Sequence, residues 1–203
     1  GYLLCEGCAQ GLEPMDKEGR CSVCFSSCSF SGICNACSAS KPPFLSAAAV
    51  FEYSGPAASL IKHLKYGRQD YLAEVMGAYL AAQLVSLDWR MPDCIVPVPM
   101  AASHYFVRGF NQSELLARAA ANILDRPMVL ALGRCSGGFS QAGLSKQQRA
   151  LMDRNKIQLL KRDELYGKHI LLVDDVYTTG KTLSCCAESL QIGLPASVYG
   201  MTF

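Results

Sequence analysis

The chain has 203 residues and is 50% hydrophobic, which is enough for one full α/β domain with a small appendage. Its formal net charge of +2 is too small to indicate a general nucleic-acid-binding surface and leaves room only for a local basic patch. No apolar run approaches the roughly 20 residues of a membrane-spanning helix, and Cys5 and Glu6 follow the first apolar residues at once, without a signal-peptide pattern. We therefore expect a cytoplasmic protein with no membrane insertion.

Paired cysteines are the main feature of the N-terminal segment. Seven of the eleven cysteines fall between Cys5 and Cys37, and most of them form C-x2-C pairs. The pairs are Cys5 with Cys8, Cys21 with Cys24, and Cys34 with Cys37. Two such pairs supply the four thiolates of a structural zinc site, so metal binding is a better interpretation than a secreted disulfide framework.

Three pairs do not divide evenly into sites of four ligands. We favour the second and third pairs because only nine residues separate them, which makes a compact site; the first and second pairs are the alternative. A further alternative is that a partner pair lies outside this sequence. Residues 1–43 are poor in periodic apolar positions, so they are predicted to form a zinc-binding module that needs its metal to fold.

A stiff Lys41-Pro42-Pro43 joint ends this module, and a second domain is predicted over residues 44–203. Apolar strands and amphipathic helices then alternate along the chain. Predicted strands cover 47–53, 93–98, 128–132, 170–173 and 197–203, and predicted helices cover 57–66, 71–87, 111–124 and 182–190. This alternation indicates an α/β fold with a mostly parallel sheet flanked by helices.

Lys65, at the end of the first helix of this domain, has two interpretations. It either serves a ligand site or caps the helix C-terminus, where a cation is favourable.

The loop after strand 93–98 is the next candidate, because ligands of open α/β sheets lie beyond the carboxyl ends of strands. Pro97 and Pro99 stiffen the strand exit. The polar candidates that follow are His104, Arg108, Asn111 and Gln112. Arg108 is the best-placed cation, because a guanidinium with side-chain amides at a helix start can bind the oxygens of a diphosphate. The alternative is a solvated loop with Asn111 as the helix N-cap.

Residues 140–149, which include Gln141 and Arg149, are polar and carry several cations. A flexible segment of this kind could close over a diphosphate and exclude water from a reaction at a sugar cation. The alternative is an ordinary solvated helix start.

The most informative segment is the buried strand 170–173 together with the residues after it. Asp174 and Asp175 come at its carboxyl end, and a turn of mostly small residues then leads into the next helix. The turn residues are Thr178, Thr179, Gly180, Lys181 and Thr182. Backbone amides of such a turn, with the helix N-terminus, can surround a phosphate. Two carboxylates would repel that phosphate, so we expect Asp174 and Asp175 to accept hydrogen bonds from sugar hydroxyls.

This segment resembles the ribose-phosphate loop of type I phosphoribosyltransferases, in which two acids hold the ribose hydroxyls and the turn holds the 5′-phosphate. Nearly the whole chain resembles the ComF family of competence-associated, phosphoribosyltransferase-like proteins. The matching stretches are the C-x2-C pairs, 41–44, 64–66, 96–99, 108–112, 141–145 with Arg149 and Asn155, and 173–182. They occur in the order that the family has.

The resemblance implies a type I phosphoribosyltransferase fold behind a cysteine zinc finger, and an enzyme that binds 5-phosphoribosyl 1-diphosphate with Mg²⁺. Asp174, Asp175 and Arg108 would act in catalysis. The substrate-binding residues that it implies are Asp174, Asp175, Thr178, Thr179, Gly180, Lys181, Thr182, Lys65, Pro99, Asn111, Gln112, Gln141 and Arg149. The arginine and residues 141–149 would lie near the diphosphate.

The family resemblance also implies a role in DNA uptake during natural transformation, on incoming single-stranded DNA and with DNA-uptake or recombination proteins as partners. The acceptor stays open between a nitrogenous base, an amine and a group on nucleic acid. Two other hypotheses remain. One is a non-catalytic sugar-phosphate sensor or single-stranded-DNA-binding adaptor, and the other is a purely structural zinc adaptor in the uptake machinery.

Overall fold

A four-stranded parallel sheet forms the centre of the structure, a computed structural model that describes residues 6–28, 32–67, 69–134 and 157–203. The strands are β1 (Ser46–Ala49), β2 (Cys94–Pro97), β3 (Leu132–Arg134), β4 (Ile157–Leu159), β5 (His169–Asp174) and β6 (Ser197–Thr202). The helices are α1 (Glu6–Gln10), α2 (Asn35–Ala39), α3 (Gly55–Tyr66), α4 (Leu72–Ser86), α5 (Ala102–Arg108), α6 (Gln112–Leu124) and α7 (Lys181–Gln191). The sheet order β1-β6-β5-β2, with helices packed on it, confirms the α/β prediction.

The central strand β5 explains why one edge of the sheet collects polar residues. Residues 170–173 are at most 1% exposed, as expected for an apolar run buried on both faces. The strand pairs in parallel with β2 and with β6, in a register that places Pro97 beside Val173 and Asp174 beside Thr202. The carboxyl ends of these three strands therefore meet at the same edge.

Helices cover both faces of the sheet. Helices α4 and α6 pack over Leu171 and Val173, while α7 packs over Ile170 and Leu172. The contact between α4 and α6 depends on Gly77, because a Cβ at this position would lie 2.4 Å from the Cβ of Ala119. Among the described helices, none combines the length and the apolar composition that crossing a membrane requires.

Helix α5 lies where the sequence predicted only a loop, so that prediction was wrong. The helix ends at Gly109, which has φ +82° and donates its N–H to the Tyr105 carbonyl at 2.7 Å. Three consecutive apolar side chains, Tyr105, Phe106 and Val107, are all exposed. A helix with no apolar stripe toward the core gives no helical periodicity in the sequence.

The strand predicted over 128–132 also differs from the structure. Met128 makes an isolated parallel bridge to Ile95, and the Ala131 N–H then donates to the Val129 carbonyl at 2.9 Å. This tight turn bends the chain away from the central sheet. Strand β3 begins at Leu132 and pairs antiparallel with β4, a strand that was not predicted.

The cysteine-rich segment packs against β1 at one edge of the sheet. The Ala47 N–H donates to the Val23 carbonyl and the Ser46 hydroxyl donates to the Ser22 carbonyl, both at 2.7 Å. The small alanine side chains of β1 leave room for this approach. The segment therefore lies beside the edge strand β1, and the domain boundary at residue 43 stays a prediction.

Candidate active site and candidate metal centre

The two acids lie at the carboxyl end of β5, and neighbouring elements fix one oxygen of each. Asp174 Oδ1 accepts hydrogen bonds from the Ser113 hydroxyl at 2.8 Å and from the Asp175 N–H at 2.9 Å. Asp175 Oδ2 lies 2.7 Å from Lys65 Nζ, and these two side chains are only 15% and 19% exposed. The second oxygen of each carboxylate has no hydrogen-bond partner among the described residues, so it remains available to a ligand.

The environment of Asp174 opposes its ionisation. Burial first, and then the negative charge of Asp175, raises the pKa of Asp174 to about 7. The hydrogen bond from Ser113 and the positive charge of Lys65 act in the opposite direction. Near neutral pH the carboxyl group can therefore be held either as an acid or as a carboxylate, and a hydroxyl donor or a cation would favour the carboxylate.

Arg108, the last residue of α5, is held in place by two neighbours. One terminal nitrogen donates to Gln112 Oε1 at 3.1 Å and the other donates to the Tyr66 hydroxyl at 3.0 Å. The guanidinium also lies 4.9 Å from the centre of the Tyr66 ring, within the range of a cation–π contact. These contacts orient the guanidinium before any ligand binds.

Together these groups line a cavity of about 230 Å³, which we call the acid cavity. Its lining includes Lys65, Pro99, His104, Arg108, Asn111, Ser113, Arg134, Asp174, Asp175 and Thr182. Three permanent cations, Lys65, Arg108 and Arg134, thus surround two acids. Such a cavity suits a ligand that carries both hydroxyl groups and anionic oxygens.

Two of the predicted ligand residues have structural partners. Asn111 is the N-cap of α6, since its Oδ1 accepts from the Ser113 N–H at 3.1 Å, and its Nδ2 donates to the Val98 carbonyl at 3.0 Å. Gln112 is 2% exposed, and its Nε2 has no partner among the residues that the structure describes. Its Oε1 instead holds Arg108, so it reaches the cavity through that arginine.

The turn from Thr178 to Thr182, which we call the phosphate turn, lies between two cavities. Gly180 is the N-cap of α7 at φ +69°, a backbone conformation that favours glycine, and a Cβ there would lie 2.7 Å from the Tyr177 hydroxyl oxygen. Thr182 faces the acid cavity, and Lys181 is exposed at the start of the helix. The first three turn residues line the other cavity.

This second cavity, the module cavity, has a volume of about 620 Å³. The cysteine-rich segment forms much of its wall through Arg20, Cys24, Phe25, Cys34 and Cys37. Tyr177 lies between this wall and the turn. Burial raises the pKa of Tyr177 to about 12, and the nearby cysteine sulfurs add to this rise.

Some site residues were not predicted, and others cannot be placed. Gln141 and Arg149 lie outside the described residues. Ser113 follows the N-cap of α6, but nothing in the sequence indicates that it would contact Asp174. Arg134 is the last residue of β3, beyond the strand that was predicted at 128–132, and it belongs to no motif that the sequence shows. His104 was named as a loop residue and lines the acid cavity from α5.

A candidate metal centre lies in the cysteine-rich segment. The Sγ atoms of Cys21, Cys24, Cys34 and Cys37 all lie within 4.8 Å of one another. Cys24 Sγ and Cys34 Sγ are 3.7 Å apart, close to the ~3.8 Å edge of a tetrahedron with zinc–sulfur bonds of about 2.3 Å. These are the two pairs that the sequence favoured. Cys8 is not in the described cluster, and Cys5 lies outside the described residues.

Backbone amides favour the thiolate form at Cys21 and Cys34, whereas burial raises the pKa of Cys37. The N–H groups of Val23 and Cys34 donate to Cys21 Sγ at 3.4 and 3.3 Å. A hydrogen bond from the Cys37 backbone lowers the pKa of Cys34 to about 6, toward the thiolate form that binds metal. Four sulfur donors clustered this closely fit Zn²⁺.

Comparison with known proteins gives relatives that extend over almost the whole chain. No protein-family model matches it. Competence protein F of Haemophilus influenzae is 27% identical over 194 residues, which cover 93% of this chain and 84% of that protein. DNA utilization protein YhgH of Salmonella typhi is 30% identical over 207 residues, which cover 92% of this chain and 90% of that protein.

Among solved structures, a glutamine phosphoribosylpyrophosphate amidotransferase from B. subtilis is similar to this chain with a TM-score of 0.44 and 18% identity. The match covers 64% of this chain and 25% of the amidotransferase.

Proposed function

This chain belongs to the ComF family of competence and DNA-utilization proteins, and we propose that it binds 5-phosphoribosyl 1-diphosphate with Mg²⁺ and acts as a phosphoribosyltransferase in DNA uptake. The names of its relatives support a role in competence and the use of DNA. Incoming single-stranded DNA in the cytoplasm, with uptake or recombination proteins as partners, is part of the proposal.

The observation that carries the proposal is the acid pair at the end of β5, facing cations across the acid cavity. The free oxygens of Asp174 and Asp175 would accept hydrogen bonds from the ribose hydroxyls. Beside them, the N-terminus of α7 and the phosphate turn would bind the 5′-phosphate. Arg108 and Arg134 would bind the diphosphate, whose several oxygens suit guanidinium groups.

The same residues fit Mg²⁺. This ion prefers oxygen ligands, usually one or two carboxylates together with substrate phosphates and water. Asp174 and Asp175 supply carboxylate oxygens next to the expected diphosphate. When bound, the ion would neutralise part of the diphosphate charge. We propose in addition that the four clustered cysteines hold a structural Zn²⁺.

In phosphoribosyl transfer, an acceptor attacks C1 of the ribose while the bond from C1 to the diphosphate oxygen breaks. The electron pair of that bond leaves with the diphosphate, and the acceptor loses its proton to a base or to water. The role of Arg108 would be to stabilise the charge on the departing diphosphate, and its contacts with Tyr66 and Gln112 hold it ready for this. The acceptor is a nitrogenous base, an amine or a group on nucleic acid.

The test is a calorimetric titration of 5-phosphoribosyl 1-diphosphate with Mg²⁺ into the full chain. Asp175→Asn should weaken binding by about 100-fold or more, because it removes a charged acceptor and leaves Lys65 without its partner. The matched control is Asp163→Asn, which removes the same charge from an exposed residue that lines neither cavity. Unchanged binding in Asp175→Asn, or no binding by the native chain, would contradict the proposal. Release of diphosphate in the presence of single-stranded DNA or free bases then tests catalysis.

A second candidate function, binding of single-stranded DNA without turnover, is favoured by exposed aromatic side chains near the acid cavity. Tyr66 is 70% exposed and Phe106 is 90% exposed, and Tyr66 stacks under Arg108. Aromatic side chains with neighbouring cations are the usual surface for unpaired bases. Salt-dependent binding of a single strand that Phe106→Ala weakens, with no diphosphate release, would support this candidate.

A further inference from the structure

Tyr177 lies between the cysteine cluster and the start of α7. It directly precedes the phosphate turn in the sequence, and its ring packs against the apolar cluster that contains Cys21 and Cys37. It lines the module cavity together with Cys24 and Cys34. One side of the ring therefore faces the segment that the metal organises.

The far end of the same ring contacts the phosphate turn. A Cβ built on Gly180 would lie 2.7 Å from the Tyr177 hydroxyl oxygen and 3.0 Å from its Cζ, so the ring lies directly over this glycine. Gly180 is the N-cap of α7, and its carbonyl accepts the helix hydrogen bond from the Ser184 N–H at 2.8 Å. A displacement of the ring would thus change the space above the first turn of α7.

The position of the ring depends on a segment with little structure of its own. Helices α1 and α2 have only five residues each, well below the ~12–15 residues at which an isolated helix becomes marginally stable in water. The buried residues Cys21 and Cys37 link the described part of the segment to the main core. Without a metal to join the four sulfurs, the wall behind Tyr177 would lose its fixed shape.

We propose that Tyr177 is a positioning residue that connects the metal-binding cysteine cluster to the phosphate turn, so that metal binding prepares the turn for an anion. The nature of that anion rests on the proposed function, whereas the connection itself does not. The charge of the metal site alone would make anion binding at the turn weaker in the metal-loaded chain, not tighter. A zinc ion with four thiolates has a net negative charge, which would weaken the binding of a nearby anion. Tighter binding in the metal-loaded chain must therefore come from positioning.

The first test needs no ligand. Hydrogen exchange is measured in the full chain at the first hydrogen-bonded amides of α7, beginning with Ser184, whose N–H closes the phosphate turn onto the Gly180 carbonyl; residues 170–173 of β5 are the internal reference. Tyr177→Ala should speed exchange at this end of the turn by about tenfold or more while zinc content and β5 exchange stay unchanged, because the turn opens locally. Tyr177→Phe, which keeps the ring, should behave like the native chain. Unchanged exchange in the turn of Tyr177→Ala would overturn the inference.

Removal of zinc separates a positioning role from a merely structural one. In the native chain, a chelator should speed exchange in the turn. In Tyr177→Ala the chelator should speed exchange little further, because zinc removal and the substitution break the same connection and their effects are not additive. An equal response to the chelator in both proteins would contradict the inference. Should Tyr177→Ala not retain zinc, Tyr177→Leu, which keeps apolar bulk without a ring, replaces it under the same criteria.

The second readout is the affinity for 5-phosphoribosyl 1-diphosphate with Mg²⁺. Tyr177→Ala should bind about tenfold more weakly than the native chain and Tyr177→Phe about equally, because small displacements of binding groups have effects of this size. If the native chain binds no sugar phosphate, the proposed function fails, while the exchange experiment still decides the inference. If the native chain binds but Tyr177→Ala binds equally well, the inference alone fails.

Discussion

The phosphate turn separates two cavities that differ in chemistry. The acid cavity is small, and six elements supply its charged and polar groups: α3, α5, α6, β3, β5 and α7. The module cavity is more than twice as large, and cysteine and aromatic side chains form much of its wall. In the proposed function the acid cavity would bind and polarise the ligand, and in the proposed role of Tyr177 the wall of the module cavity would shape the turn. On this comparison, the residues that would contact the ligand come from the acid cavity, and the residues that would position the phosphate turn come from the module cavity.

Among substitutions that test the difference between the two cavities, Cys24→Ser should have the largest effect. Loss of one of four thiolates should reduce the zinc content from about one ion per chain to none, because a structural zinc site uses all four ligands. The metal content of the purified chain is measured by atomic spectroscopy. Binding of the sugar phosphate should weaken but persist, because the acid cavity has its own partners.

The matched control is Cys28→Ser, which changes a half-buried cysteine of the same segment that lies outside the cluster. It should retain its zinc. Equal loss of zinc from both variants would mean that the four ligands are not those that the geometry brings together.

A smaller effect, confined to the acid cavity, is expected from Arg108→Ala. Binding of 5-phosphoribosyl 1-diphosphate should weaken by roughly 10- to 100-fold, the usual loss for a charge-assisted contact to an anion. Zinc content should not change. Arg118→Ala removes the same charge from an exposed ion pair with Glu114 and should alter affinity by less than about twofold. Equal effects of both substitutions would indicate general charge attraction rather than a site.

The central elements of the fold could be predicted because local patterns specify them. The run at 170–173 is apolar and β-branched, and it is buried on both faces as predicted. Helix α5 could not be predicted, because Phe106 and Val107 face solvent and leave no apolar stripe. The chain near Met128 begins as sheet, but a turn at Ala131 redirects it, and an apolar pattern carries no sign of such a bend.

The candidate site shows the same limit. The position of Asp174 and Asp175 beyond a strand end follows from general rules for parallel sheets. Whether Lys65 serves the site or caps its helix could not be decided from the sequence, because its ion pair joins residues that are distant in the chain. The position of Tyr177 in the same cavity as Cys24, Cys34 and Cys37 is also a product of tertiary packing, and neither motif indicates the other.

The free energy of unfolding of the ligand-free protein should depend on pH because the acid cavity raises the pKa of Asp174. Because the folded state raises the pKa of Asp174 from 3.8 to about 7, its contribution to stability is full below pH 3.8 and is lost as pH rises through about 7. The free energy of unfolding of the native chain, relative to Asp174→Asn, should thus fall between about pH 4 and pH 7 and level off above. Denaturant titrations at a series of pH values measure this difference, and a flat difference would contradict the prediction.

The smallest effect expected is that of Ser113→Ala on the same pH profile. The Ser113 hydroxyl donates to Asp174 Oδ1 at 2.8 Å and lowers the pKa of this acid against the effect of burial. Its removal should raise the pKa of Asp174 further, so the decline in relative stability should extend to higher pH. Ser184→Ala, on the module side of the turn, should leave the profile unchanged. A shift with Ser113→Ala alone would show that α6 tunes the acid pair independently of the cysteine-rich segment.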